Sequence, residues 1–256
     1  MNIIFELTKE FKKLILIFLL FLIAVPFFFM KGLDIHLSEI ISVFEIENSY
    51  LKKDFSNKVL KLSYQKPQGW ASLSEIDEQA YMAIVISEDW SYFEHNGFDI
   101  EQVKQSVADY LIDQKRLRGA STISQQLIKN LFTSSERTLK RKLKEYFLTM
   151  ILETTTSKNK ILETYLNNIQ YGKSLYGITR ASSFYFNKSP KLLNAKEGAF
   201  LAMLLPNPVR HAVSFEKQSL TDFAKEKIST LLFKLKVAKV ISPEELDFYK
   251  TDFYLF

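Results

Sequence analysis

The 256-residue chain has no cysteine, which excludes disulfide staples and thiolate zinc sites. Its three histidines, His36, His95 and His211, are widely scattered, which argues against a histidine metal centre. Seven glycines and six prolines are too few for a turn-rich all-β fold. Nor is one sign of charge in large excess. The net +5 is compatible with a membrane surface, an anionic ligand or no charged partner at all. What is plentiful is Leu, Ile, Lys, Glu and Gln, residues that favour helix. The hydrophobic content of 47% excludes a disordered chain.

Long hydrophobic runs are scarce too, with one exception. Leu14–Met30, LILIFLLFLIAVPFFFM, runs 17 residues without a charge, a helix of ~26 Å and the short end of a bilayer span. Lys9, Lys12 and Lys13 precede it and only Lys31 closely follows. The positive-inside rule then puts the N-terminus in the cytoplasm. No small-x-small cleavage site follows, so the run reads as an uncleaved anchor rather than a signal peptide. The expected organisation is a cytoplasmic tail (1–13), a transmembrane anchor (14–30), a stalk or membrane-proximal segment (31–70) and a globular domain (71–256).

From Ser72 the pattern turns helical. Ser72 or Ser74 can cap, acids load the first turn, and Ile76, Ala80, Ala83, Ile84 and Ser87 recur at helical spacing. Glu88 and Asp89 then end a largely buried helix, at the wrong end of its dipole for carboxylates. They are a functional pair or an exposed helix end. Past Gly119, Thr122 and Gln125 fit a capping box, Ile123, Leu127 and Leu131 form an apolar stripe, and Thr122, Gln126 and Lys129 share another face. That face could hold an anionic group or be an ordinary amphipathic surface. In residues 137–153, Leu139, Leu143, Tyr146, Phe147 and Met150 read as the apolar seam. Arg137, Arg141 and Glu145 fall opposite it. Five cations in eight residues, Arg137, Lys140, Arg141, Lys142 and Lys144, exceed what local pairing needs and suit phosphates. A fourth helix over 158–171 ends at Gly172, AKEGAFLAMLLPNP reads as a buried helix stopped at Pro206 and Pro208, and one or two amphipathic helices close the chain.

Five blocks in this order resemble the glycosyltransferase family 51 peptidoglycan polymerases, most closely the monofunctional biosynthetic transglycosylases. They are EDWSYFEHNGFD (88–99), GASTISQQLIKNLF (119–132), RKLKEYFLTMILE (141–153), ILETYLNNIQYGKSLYGITRASSFYF (161–186) and LAMLLPNP (201–208). The resemblance covers about residues 70–212. The family usually has Phe where Tyr92 stands, two alanines where Ala181 and Ser182 stand, and a small residue where Thr149 stands. It implies a mainly α, lysozyme-like helical domain behind one N-terminal transmembrane helix. It also implies inverting polymerisation of lipid II into glycan strands with release of polyprenyl pyrophosphate.

Residue by residue, the resemblance makes Glu88 the general base and Glu145 a second catalytic carboxylate that orients cations or helps place a divalent ion. It assigns Asp89, His95, Ser121, Thr122, Gln126, Lys129, Asn130, Arg141 and Lys142 to substrate and pyrophosphate binding, with His95 chiefly tying its loop in place. It implies no dedicated metal site and no tightly bound cofactor; Mg2+ or Mn2+ would be shared with the substrate diphosphate. The expected partners are lipid II, the growing strand, the membrane and cell-wall synthesis or division proteins, with no nucleic acid. The expected location is the plasma (inner) membrane, single-pass, with the catalytic domain outside the cytoplasm. SKNK at 157–160 matches a serine–x–x–lysine pattern, but no K-T-G-like partner follows, so no transpeptidase domain is expected. Two rivals are a lysozyme-like cleaving enzyme, which needs no cation cluster, and a regulator using GASTISQQLIKN as a helix-turn-helix.

Overall fold

The computed structural model describes residues 28–113, 121–133, 138–251 and 255. Twelve helices of four residues or more are described in these stretches after the helical turn at 28–32, with two small hairpins. Helix α1 (Leu37–Phe44) leads into an antiparallel hairpin, β1 (Tyr50–Asp54) and β2 (Val59–Ser63), in register from Tyr50↔Ser63 to Asp54↔Val59. Then come α2 (Glu78–Glu88), α3 (Ile100–Asp113), α4 (Ile123–Phe132), α5 (Leu139–Thr155) and α6 (Lys158–Asn168). Hairpin β3 (Gln170–Gly172) and β4 (Leu175–Tyr176) precedes α7 (Ile178–Phe186), α8 (Ala195–Leu204) and the short α9 (Pro208–His211) and α10 (Val213–Glu216). Helices α11 (Asp222–Val237) and α12 (Pro243–Thr251) complete the order.

All ten residues of α8 are buried, and α2 and α11 pack on it. Burying Phe200 and Leu201 there contributes ~1.5–3 kcal/mol each. The crossing with α2 is close enough that a Cβ at Gly198 would overlap the backbone of Ala80. This clamps the helix that ends in Glu88. On the other side α4 packs against α5 and α6, and one continuous hydrophobic core joins the two groups.

The segment expected as a stalk is part of this body. Leu33, Ile35, Val43, Ile46 and Leu51 belong to the core. Asn168 of α6 accepts from the Lys53 N–H (2.9 Å) and donates to the Leu51 carbonyl (2.9 Å), so a buried amide satisfies the outer edge of β1. Asn167 does the same for both backbone groups of Ala71. Such long-range polar pairing leaves no periodicity for the sequence to reveal. At Ser182, one of the departures from the resembled pattern, the buried hydroxyl has a partner: it donates to the Lys188 carbonyl at 2.7 Å. The extra hydroxyl of Tyr92 likewise reaches the Lys158 carbonyl at 2.7 Å. That of Thr149 is buried without a partner.

Among the described residues no helix is long and apolar enough to cross a membrane. The expected anchor at 14–30 lies outside them except for its last three residues, which are helical. The tail at 1–13, Gly119 and Arg137 also lie outside.

Candidate active site

Helix α2 starts on Asp77, whose side chain accepts from the Ala80 N–H, after a separate 3-10 turn at Leu73–Glu75. Its last residue is Glu88. The carboxylate is half-buried rather than openly exposed, and Gln126 Nε2 donates to its Oε2 at 3.0 Å. Tyr165 Oη donates to the other end of that amide, Gln126 Oε1, at 2.9 Å. The amide orientation is therefore fixed, with its N–H toward Glu88. Burial raises the Glu88 carboxyl above its ordinary value; the Gln126 hydrogen bond opposes this and the Asp89 charge adds to it. Tyr165 is pushed well up by its own burial, and next by the Glu88 charge, so it remains a proton donor.

The pair opening this block is not two like groups. Asp89 is 1% exposed. It faces His95 Nε2 at 2.9 Å and accepts from the Ile123 N–H at 2.9 Å. Its charge sits on the N-terminus of α4, where the helix dipole favours it. His95 Nδ1 accepts from the Gly97 N–H at 3.1 Å, so the neutral ring donates from Nε2 to Asp89. Gly97 has φ +85, and a Cβ there would lie 2.8 Å from Glu153 Cγ and 2.9 Å from Thr149 Cγ2. Only glycine lets the loop lie against α5.

The capping box at Thr122 and Gln125 forms as expected. It also uses Thr122 up. The residue is buried, its hydroxyl donates to the Gly97 carbonyl at 2.8 Å and accepts from the Gln125 N–H. Thr122 therefore fixes α4 against the loop and presents no hydroxyl proton to a ligand. Ser121 keeps a role nearer the cations, with Lys142 Nζ donating to its Oγ at 3.4 Å and Gln126 Nε2 approaching its carbonyl at 3.4 Å. Lys129 is exposed, with no ion pair among the described residues. Asn130 contributes its carbonyl to Lys53 Nζ at 2.6 Å.

Helix α5 departs from its expected faces. Of the expected seam only Phe147 packs against the core; Leu139, Leu143, Tyr146 and Met150 are exposed, whereas Glu145, Leu148, Thr149 and Leu152 are buried. The Arg141–Glu145 pair is thus not a solvated surface pair. Glu145 is 1% exposed, is bridged by Arg141, and lies 3.2 Å from Lys142. Thr133 Oγ1 approaches it at 3.4 Å. Lys142 also lies over the Tyr146 ring at 4.9 Å. The cation run is less open than its sequence suggests, because acids from the supposed stalk meet it. Lys140 pairs with Asp34 at 2.5 Å and Lys144 with Glu39 at 2.7 Å.

Glu88, Gln126, Ser121, Lys142, Glu145 and Arg141 thus form one connected polar line across α2, α4 and α5. Tyr165, which anchors that line, is not singled out by the sequence. It lies in a uniformly buried stretch of α6 where nothing distinguishes its hydroxyl from a packing ring. Glu153 is also new, bonded to Ser124 and 2.9 Å from Lys158, and it ties α4 to α5. In the SKNK stretch, Ser157 Oγ is bonded to Glu47 and Lys160 pairs with Glu163 at 3.0 Å, so serine and lysine have separate structural partners. The buried face of α4 (Ile123, Leu127, Ile128, Leu131) is unavailable to a DNA groove.

The profile of the Transglycosylase family matches residues 56–236. A Haemophilus influenzae (strain Rd) protein named biosynthetic peptidoglycan transglycosylase is 42% identical over 151 residues, covering 59% of this chain and 61% of its own. Proteins of that name from Cronobacter sakazakii and Escherichia coli O1:K1 are 42% and 40% identical, each with 62% of its length covered. The chain thus spans under two thirds of the length of these curated relatives. With the profile covering most of the chain, and the resembling blocks lying within it, the chain belongs to the transglycosylase family.

Proposed function

We propose that the protein is a peptidoglycan glycosyltransferase that polymerises lipid II into glycan strands by inverting transfer. A sugar hydroxyl oxygen attacks the anomeric carbon of the growing chain. Its proton passes to Glu88, the anomeric C–O bond breaks, and the electron pair leaves on polyprenyl pyrophosphate. A hydroxyl is a weak nucleophile at neutral pH, and a positioned base contributes about 10²–10⁴-fold. A carboxyl raised by burial and still held by one amide suits that task. The departing diphosphate gathers negative charge, where fixed cations act most strongly. Arg141 and Lys142 are held in place by Glu145, and Lys129 stands exposed one turn beyond Gln126. The observation carrying this reading is the polar line joining Glu88 to that cation pair.

Among the described residues no cluster of three or more His, Cys, Asp or Glu could cage a metal, and Glu145 already faces two cations. On this reading Mg2+ or Mn2+ would be shared with the substrate phosphates, and no step above runs through it.

The reading places the protein as a single-pass protein of the plasma membrane, with the domain outside the cytoplasm. The lysine asymmetry supports this. So do exposed Leu37, Ile41 and Phe44 on α1 and Leu143 and Met150 on α5, beside Phe29, whose ring meets Phe147 at 5.6 Å. Incubation with lipid II tests the activity: glycan polymer is expected, and intact wall should release no fragments. Fragment release without polymer would transfer the site to a cleaving enzyme.

A further inference from the structure

A second cleft, of about 500 Å3, lies between the β1–β2 hairpin and the β3–β4 turn with the start of α7. Four cations line it, Lys52, Lys53, Lys61 and Arg180, against one carboxylate, Asp54. Two of the four are accounted for. Lys61 lies 3.6 Å from Asp54. Lys53 Nζ donates to the Asn130 and Leu131 carbonyls at 2.6 and 3.0 Å, at the negative end of the α4 dipole. Lys52 and Arg180 have no ion pair among the described residues. Burial, and after it the Arg180 charge, pulls the Lys52 ammonium below its ordinary value. Two like charges held together without a counter-ion make a position that an anion relieves.

The cleft is larger than one phosphate or carboxylate needs, and one wall is flat and apolar. Phe55 and Tyr176 stack there with centroids 3.8 Å apart and planes at 6°. The cleft is also fixed to the machinery of the Glu88 site. Lys53 reaches α4 one helical turn past Gln126, ~6 Å along the axis. Its backbone is bound by Asn168, three residues after Tyr165. A long substrate seated at Glu88 could therefore reach it with a second anionic portion. The diphosphate has its own cations at Arg141, Lys142 and Lys129, so that portion must be chemically separate.

We propose that this cleft binds the carboxylate-bearing peptide carried by the sugar units of the substrate, with Lys52 and Arg180 as its anion contacts. The identity of the ligand rests on the polymerase reading above; the existence of an anion site does not. The test is calorimetric binding to the full chain of three soluble probes: a disaccharide carrying its peptide, the same disaccharide without peptide, and inorganic pyrophosphate. The double variant Lys52→Gln/Arg180→Gln should weaken the peptide-bearing probe by about tenfold, or ~1.4 kcal/mol, and leave the other two within about twofold of wild type. Both side chains are at least partly exposed, so the fold should persist, with circular dichroism as control. Lys52→Arg in place of Lys52→Gln should restore part of the loss. Equal weakening of the peptide-free disaccharide, weakening of pyrophosphate instead, no change in any probe, or no binding of the peptide-bearing probe to wild type would each overturn the proposal. Polymer formation by wild type on lipid II is measured alongside. Peptide-selective binding without polymer would refute the polymerase reading and leave the cleft assigned.

Discussion

Replacing Glu88 by Gln separates base chemistry from every structural duty of that side chain. Gln126 Nε2 donates to Glu88 Oε2 at 3.0 Å, and Tyr165 prevents the amide from turning over. The carbonyl oxygen of a glutamine at 88 can accept the same bond. Proton acceptance disappears, together with the carboxylate's charge. Initial polymerisation rate on lipid II should fall by about 10²–10⁴-fold, equivalent to about 2.7–5.4 kcal/mol of transition-state stabilisation. Stability should move the opposite way. The folded carboxyl is raised above the ordinary value of 4.5, chiefly by burial, so ionising it opposes folding. Below the ordinary value both states are protonated and the cost is absent. It grows as pH climbs from there through the raised folded value, then stays constant. Glu88→Gln should therefore be at least as stable as wild type at neutral pH, with the difference vanishing in acid. Wild-type activity should rise with pH through that same raised value. The assay pairs initial rates with thermal melts across pH. A folded Glu88→Gln protein polymerising within about threefold of wild type would refute the base assignment, and Glu145 would be tested next.

Asp89→Asn should lower thermal stability, by about 1–3 kcal/mol in denaturant titrations, because Asp89 links the Ile123 N–H and His95 rather than standing free; an unchanged midpoint would refute that linkage. Gly97→Ala should destabilise by a similar ~1–3 kcal/mol, since φ +85 and contacts with Glu153 and Thr149 leave no room for a methyl group; a melt equal to wild type would remove the reason for glycine there. Lys129→Ala should keep the wild-type melt, its side chain being exposed, while kcat falls about 10–150-fold for loss of a charge-assisted contact; wild-type kcat would return Lys129 to a solvated face. Glu145→Gln should lower both stability and kcat, because Arg141 and Lys142 lose their shared counter-ion; a double-mutant cycle with Arg141→Gln should show coupling above ~0.5 kcal/mol, and additivity would refute the clamp.

Local rules made much of this protein legible from sequence. Helix periodicity, capping residues and proline stops identified α2, α4, α6 and α8, and a helix ending at Glu88 placed that carboxylate where the fold has it. Those signals act within a turn or two of chain, so they survive without knowledge of neighbours. It was the resemblance of the five blocks, rather than residue type alone, that brought Glu88, Gln126, Arg141 and Lys142 forward as a set.

Tertiary structure decided the rest, because burial and pairing depend on what lies opposite. Nothing in RKLKEYFLTMILE tells which stripe of α5 faces inward. The stripe carrying Glu145 and Thr149 does, because Leu148 and Leu152 beside them join the core and Thr149 meets the Gly97 loop. Asp89 looks like the equal of Glu88 in the chain. The N-terminus of α4, 34 residues later, converts it into a buried linker and leaves Glu88 as the half-buried base candidate. Residues 31–70 look irregular because their order comes from Asn167, Asn168 and the α5 lysines, partners about a hundred residues away. Sequence thus determined the helices and the chemical groups they carry. Only the packing of those helices decided that Asp89 is buried as a linker, Glu145 is clamped between two cations and Glu88 stays half-buried.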